Sequence, residues 1–291
     1  MKNICLLQNK STFDRYGLLT VPNTVHSSGI RRTRRGVPRA RFFVPNRSGI
    51  LFAGSHTVRN NTIPIKQIQS LLGACQKQRH RRFTLFLGKT DKVLCPNIRI
   101  PKNVRKIYTT HFIYEHPVIK FFPLGRDFRN QGYYHHSKID NKERDILCYC
   151  NFALRTHRDR QIIYQLIKNK RFMTFEKVGK YIDENVKRLS VPEFYDRLNR
   201  SKFVLCPRGY NLDTYRFYDS LHCGAIPIVV RLPFHRHFRN LPVLFLNSIA
   251  DFASLTEEFL ERKYQELSKK KKNYYKQLDL DFWMRKVCSG R

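Results

Sequence analysis

The sequence predicts an α/β protein built of two doubly wound domains, and three observations carry that expectation. Its 291 residues can bury one large core or two of roughly 130 to 150 residues each, and two is closer to usual domain size. Short apolar, β-branched runs alternate with helical patterns in both halves, as in sheets wound by crossover helices. Residues 203 to 230, FVLCPRGYNLDTYRFYDSLHCGAIPIVV, read as strand, glycine-containing loop, short helix and strand within one βαβ-sized unit.

Taken in order, residues 1 to 48 are the least regular, with Arg31, Arg32, Arg34, Arg35, Arg39 and Arg41 set among Gly and Pro. They read as a solvated basic loop, with a nucleic-acid-binding arm as the alternative. Residues 49 to 54, GILFAG, form a short strand ending in a glycine turn, and IKQIQSLLGACQK forms a helix from Ile65. Strands follow at 83 to 87, about 107 to 114 and 118 to 122. The polar stretch 131 to 144, QGYYHHSKIDNKER, reads as a linker and divides the chain into domains 1 to 135 and 136 to 291. In the second domain, ILCYC at 146 to 150 is a strand, 151 to 158 its carboxyl-end loop, and 157 to 169 a helix. Ser190 and Glu193 spell a capping box for a helix through Leu198. Asp213 or Thr214 caps the helix after the 203 to 206 strand. Ser254 and Glu257 spell a second box, opening a helix with Leu260, Tyr264 and Leu267 on one stripe, which dissolves into the lysines at 269 to 272.

Fifty-six Lys and Arg against 22 Asp and Glu leave a net charge of +34, so the surface concentrates anions: nucleic acid, anionic membranes or phosphorylated small molecules. No zinc spacing, RNP aromatic motif or helix-turn-helix pattern supports nucleic acid as the partner, which leaves that class as the alternative reading. The eight cysteines include no CxxC pair and several sit in apolar runs, as buried free thiols do in a reducing, cytoplasmic compartment, with a disulfide-stapled secreted domain as the alternative that an even count leaves open. The expectation is a soluble protein: no segment approaches the roughly 20 apolar residues of a membrane span, and ICLL at the start is too short for a signal peptide. The sequons at Asn46, Asn60 and Asn199 are then idle.

Chemistry concentrates in the 203 to 230 unit. Arg216 falls in the first turn of its helix and Asp219 three residues on, so the two share one face while Phe217 and Leu221 share another. The helix N-terminus, with Arg208 and Arg216, suits an anion such as a diphosphate, and Asp219 can accept from a ribose diol. A surface ion pair between Arg216 and Asp219, contributing a few tenths of a kcal/mol, is the plainer alternative. Asp279 and Asp281 follow a lysine-rich helix and read as a cap rather than a metal motif. His135, His136, His235 and His237 have metal-like spacing without Cys or carboxylate partners and read as exposed loop histidines. Cys148 and Cys150 alternate along a strand and read as packing.

Cys206, Pro207, Gly209, Thr214, Arg216, Asp219, Gly224 and Pro227 stand in the register of the donor-binding region of exostosin-type glycosyltransferases, which this chain resembles. The likeness continues through SVPEFYDRLNRSKF at 190 to 203 and more weakly through GILFAG and PLGRDF at 123 to 128. Among such enzymes the soluble ones of large algal (chlorella) viruses are the most similar, being short, basic and without a membrane anchor. The resemblance implies two facing Rossmann-like domains of glycosyltransferase B type, with the acceptor side in the first and a UDP-sugar in the second. It implies inverting transfer of a sugar, xylose by the same likeness, to a hydroxyl of a glycan or glycoprotein, without a metal or a tightly bound cofactor. Arg208 and Arg216 are then expected at the diphosphate, helped by Arg158, and Asp219 at the ribose, where the family usually carries Glu. Gly209, Tyr210, Asp213, Thr214 and Asn151 complete the expected donor site. Inversion needs a base for the acceptor hydroxyl, for which Asp127 and His56, each after an apolar strand of the first domain, are the candidates.

Overall fold

The computed structural model describes residues 19–20, 49–53, 65–87, 98–110, 116–125, 143–176, 189–272, 277–278 and 280–288. The chain divides into an N-terminal unit ending at Leu124 and a C-terminal unit beginning at Gly125. Each carries its own five-stranded parallel sheet, so the expected α/β class holds for both.

In the N-terminal unit the strands are β1 (Leu19–Thr20), β2 (Gly49–Ala53), β3 (Phe83–Leu87), β4 (Val104–Thr109) and β5 (Ile119–Phe121), in that spatial order. Helix α1 (Ile65–Lys77) connects β2 to β3. It buries Ile68, Leu71, Leu72 and Cys75 against Leu85, Leu87 and Ile107 of the sheet, the i, i+3, i+4, i+7 stripe of an amphipathic helix. Asn103 ends that helix from a distance, its Nδ2 donating to the carbonyls of Cys75 at 2.8 Å and Gln78 at 3.0 Å. Phe86 stacks on Tyr108 at 5.0 Å and meets Phe122 edge-on at 5.1 Å. The strand expected at 107 to 114 starts earlier, at Val104, because a register shift between Phe83 and Thr84 admits an extra residue in the pairing of β3 with β4.

The C-terminal unit contains β6 (Ile146–Cys150), α2 (Arg158–Ile167), β7 (Met173–Phe175), α3 (Val191–Arg200), β8 (Ser201–Leu205), α4 (Tyr215–His222), β9 (Ile226–Val230), β10 (Leu244–Leu246), α5 (Glu257–Ser268) and α6 (Leu280–Cys288). Its strand order is β10-β9-β8-β6-β7, the 2-1-3-4-5 doubly wound arrangement. Chain direction across the sheet reverses between β6 and β8, and ligands of such sheets bind outside the carboxyl ends of the strands at that switch point. Pro227 lies inside β9, where a missing N–H costs a ladder bond. The β10 ladder begins one residue later, at Ile228, which makes proline tolerable there.

Local signals explain most boundaries. The Ser190–Glu193 capping box forms as expected. His157 caps α2 through its Nδ1, which accepts from the Asp159 N–H at 3.2 Å. The second expected box is displaced: Thr256, not Ser254, is the N-cap of α5, its hydroxyl accepting from the Phe259 N–H. Ser254 instead closes a 3-10 turn by bonding the Asp251 carbonyl. Helix α4 ends in a Schellman motif, with Ala225 N–H bonded to Ser220 O and Gly224 N–H to Leu221 O. Gly224 takes φ 71°, which a side chain would strain. Gly224→Ala is expected to cost about 1–2 kcal/mol, measurable by urea unfolding; a cost near zero would show that the turn relaxes.

Arg144, the last residue of the stretch 131 to 144, is anchored to the C-terminal unit. Its guanidinium donates to the carbonyls of Ser201 and Cys223 at 2.6 Å each and of Leu198 at 3.3 Å, tying the ends of α3 and α4 to the start of β8. A cation there also meets the negative ends of two helices. Arg144→Met is expected to destabilise the protein by roughly 2 kcal/mol or more, read as a lower midpoint in chemical unfolding. An unchanged midpoint would mean water replaces the guanidinium without penalty.

Candidate functional site

The loop Cys206–Thr214 leaves the carboxyl end of β8 beside the loop that leaves β6, at the switch point. Apolar residues set its base: Phe203 and Leu205 are in the core with Cys148, Cys150, Ile226 and Ile228. Cys206 is buried, and burial pushes its thiol up to about 12, so it packs as a neutral group. Cys148 and Cys150 are likewise fully buried, as their alternation predicted.

Three arginines converge here. Arg160, from the first turn of α2, is 8% exposed. Its Nε donates to Arg208 O at 2.8 Å, Nη2 to Pro207 O at 3.3 Å and Nη1 to Ala153 O at 3.2 Å. Burial, reinforced by the charge of Arg216, pushes Arg160 down to about 9, so it is still a cation at neutral pH. Arg208 and Arg216 each bury an Nε that has no hydrogen-bond partner, and neither pairs with a carboxylate of the described residues. Buried donors left unpaired are costly, and like charges held together are more so. The arrangement is that of a site completed by an anion.

Thr214 is the N-cap of α4 but makes no side-chain cap bond; the Phe217 N–H bonds the Thr214 carbonyl at 3.1 Å. Asp213, the other expected cap, is 3% exposed. Its Oδ1 accepts from the Thr214 N–H at 3.0 Å and its Oδ2 from the Tyr218 hydroxyl at 2.6 Å, which holds the loop to α4. Asp219 is also 3% exposed, with Oδ1 accepting from the Tyr195 hydroxyl of α3 at 3.0 Å. That burial is at odds with a helix-surface ion pair. Tyr210, in contrast, is 66% exposed.

A cavity of about 120 Å³ opens on the other flank of the loop. Asp159, Arg208, Asp213 and Thr214 contribute its polar side chains, and apolar residues including Ile163, Leu212, Phe217, Val230 and Ile249 line most of the rest. His235 closes its base, 6% exposed and stacked on Phe217 at 6.0 Å. Its Nδ1 accepts from the Leu232 N–H at 2.9 Å. This corrects the expectation of exposed loop histidines: His235 is a core residue pushed down to about 3 by burial and then by Arg231. His237 packs on Trp283 at 6.0 Å and is pushed down to about 4, chiefly by burial.

At the end of β6, Asn151 Nδ2 donates to the Tyr149 hydroxyl at 2.9 Å, which donates to Glu176 at 2.9 Å. Glu176 also pairs with Arg197 of α3 at 2.6 Å. The Tyr149 hydroxyl is held well above its usual range by burial, with the charge of Arg216 acting against the rise.

Of the sequence-predicted residues, Arg208, Gly209, Tyr210, Asp213, Thr214, Arg216 and Asn151 fall at the ends of β6 and β8. Asp219 lies within α4 on its buried face, and Arg158 is exposed on α2. Asp127, His56, His135 and His136 lie outside the described residues. Arg160 went unrecognised, although the signal was present: Arg160, Ile163 and Ile167 are the buried stripe of α2, the spacing i, i+3, i+7 that places a residue against the core. Tyr195 and Glu176 carried no comparable signal, since both act through partners distant in sequence.

Among the described residues, no cluster of three or more His, Cys, Asp or Glu could hold a metal, and no helix is long and apolar enough to cross a membrane. Residues 126–237, which contain all three arginines and Asp219, match the family described as the RXYLT1 C-terminal domain. The fold is similar to that of an alpha1,3-fucosyltransferase crystal structure, with a TM-score of 0.48 and 10% identity over 82% of this chain and 77% of that one. It is also similar to the GtfA/B complex, with a TM-score of 0.45 and 11% identity over 82% of this chain and 56% of that one. No protein of curated function matches the sequence.

Proposed function

We propose that this chain, whose residues 126–237 match the RXYLT1 C-terminal domain family, is a glycosyltransferase that moves a sugar from a nucleoside diphosphate sugar to a hydroxyl of a glycan or glycoprotein. Inversion at the anomeric carbon, with UDP-xylose as the donor, is the finer reading. The observation that carries the donor site is the pair of buried, unpartnered guanidinium Nε atoms of Arg208 and Arg216 at the switch point of the sheet.

In this reading the diphosphate spans the loop between Arg216 and Arg208, and the base enters the largely apolar cavity on the Arg208 side. As the acceptor oxygen bonds to the anomeric carbon, the bond from that carbon to the phosphate oxygen breaks and negative charge grows on the diphosphate. Two guanidinium groups and the positive end of the α4 dipole are placed to stabilise that charge. The acceptor proton passes to a base, for which Asp127 and His56 remain the candidates. Arg158 is exposed on α2 and is assigned no contact. Asp219, whose carboxylate accepts from Tyr195, is the candidate for the ribose.

The test is calorimetric titration of the full chain with a panel of UDP- and GDP-sugars, followed by transfer assays with those that bind. Saturable binding that changes little with salt is expected. No saturable binding at millimolar concentration overturns the reading, and steeply salt-dependent binding of nucleic acid in its place supports the polyanion alternative.

A further inference from the structure

Arg160 is a buried cation paired with no carboxylate of the described residues, on the inward stripe of a helix where an apolar side chain would pack at less cost. Its three partners are all carbonyls, and they belong to two loops: Ala153 follows β6, while Pro207 and Arg208 follow β8. The guanidinium therefore staples together the two sides of the switch-point crevice. Gly209 closes on it so tightly that an added Cβ would lie 3.1 Å from Arg160 Nη2. Phe152 supports the group from below, its ring centroid 5.5 Å from the guanidinium carbon.

Two consequences follow from this geometry. The backbone of Pro207 and Arg208 is held by bonds that only a planar fork makes together, since a lysine ammonium is a single point of donation. The charge of Arg160 is also felt by Arg216, and no carboxylate of the described residues pairs with it, so an anion bound at the loop relieves the repulsion.

We propose that Arg160 is a positioning residue for the donor: it sets the Pro207–Gly209 backbone so that Arg208 faces the diphosphate, and it adds positive charge beneath that group. The inference rests on the donor-site reading above.

The test uses the full chain, with UDP, GDP and inorganic pyrophosphate as probes in titration calorimetry, and hydrogen exchange as the local readout. In Arg160→Lys, which keeps the charge and loses the fork, the Kd for UDP or GDP and for pyrophosphate is expected to rise roughly tenfold or more. The amides of Gly209 and Tyr210 should exchange faster while those of β8 and β9 stay unchanged, a pattern that a general loss of stability would not produce. Gly209→Ala keeps Arg160, but a Cβ 3.1 Å from Nη2 makes the guanidinium or the loop give way slightly, and a loss of affinity in the same direction is expected. A Kd within about twofold of the wild type in Arg160→Lys overturns the proposal; if that variant does not fold, the same result in Gly209→Ala does so. Wild-type protein that binds none of the probes overturns the donor-site reading itself, and this inference with it. Binding by the wild type that survives both substitutions overturns the inference alone.

Discussion

Replacing Arg216 with alanine is expected to weaken binding of the nucleotide donor about 10- to 100-fold while leaving the protein as stable as before, or more so. A charge-assisted hydrogen bond contributes roughly 1.5–3 kcal/mol, and each 1.4 kcal/mol is a factor of ten in affinity. Stability moves the other way because the Arg216 Nε is buried without a partner and its charge presses on Arg160. Truncation removes both costs, and only the lost packing of the side-chain stem opposes that gain. Binding sites routinely retain such strain because function uses it. Titration calorimetry and thermal unfolding on the same sample check the prediction. A variant that loses stability but keeps its donor affinity would show that Arg216 is a structural residue.

Acid is expected to unfold this protein early, with His235 as a leading cause. In the folded state its imidazole is buried and neutral, pushed down to about 3 from an ordinary 6.5; unfolding restores the ordinary value. Below pH 6.5 the unfolded chain therefore binds a proton that the native chain refuses, so stability is complete above that pH and falls as the pH drops towards 3. The loss is about 1.4 kcal/mol per pH unit in the middle of that window. His237, pushed down to about 4, adds a similar slope over a shorter range. Urea unfolding free energies measured from pH 4 to 7 provide the check. His235→Gln, whose amide oxygen can accept from the Leu232 N–H, is expected to flatten the slope near pH 5 by about 1.4 kcal/mol per unit. An unchanged slope would place the protonation elsewhere.

Both predictions concern residues that the sequence treated differently. Arg216 was legible because the features that define it are local: a loop with Gly209, a helix start at Thr214, and the arginine in the first turn. The strands β2, β3 and β6 and the helix α1 were legible for the same reason, as their apolar periodicity spans only a few residues. His235 was misread because its spacing from His237 says nothing about the aromatic shell of Phe217, Phe234 and Phe245, which is gathered from three separate segments. Arg144 was not legible as an anchor because it sits in a polar run, and its partners at Leu198, Ser201 and Cys223 are more than 50 residues away.

The sequence by itself determined the α/β class, the βαβ unit at 203 to 230 and the arginines that an anion would meet, because hydrophobic period, turn residues and helix starts are properties of neighbouring positions. Only the tertiary structure decided that β6 lies next to β8, because strand order depends on pairing energies between segments distant in the chain. That adjacency creates the crevice, and it brings Arg160 from α2 beneath the Pro207–Gly209 loop. It also buries Asp219 against Tyr195 of α3. The charge of the site was written in the sequence, whereas its shape depends on contacts that exist only after the sheet has formed.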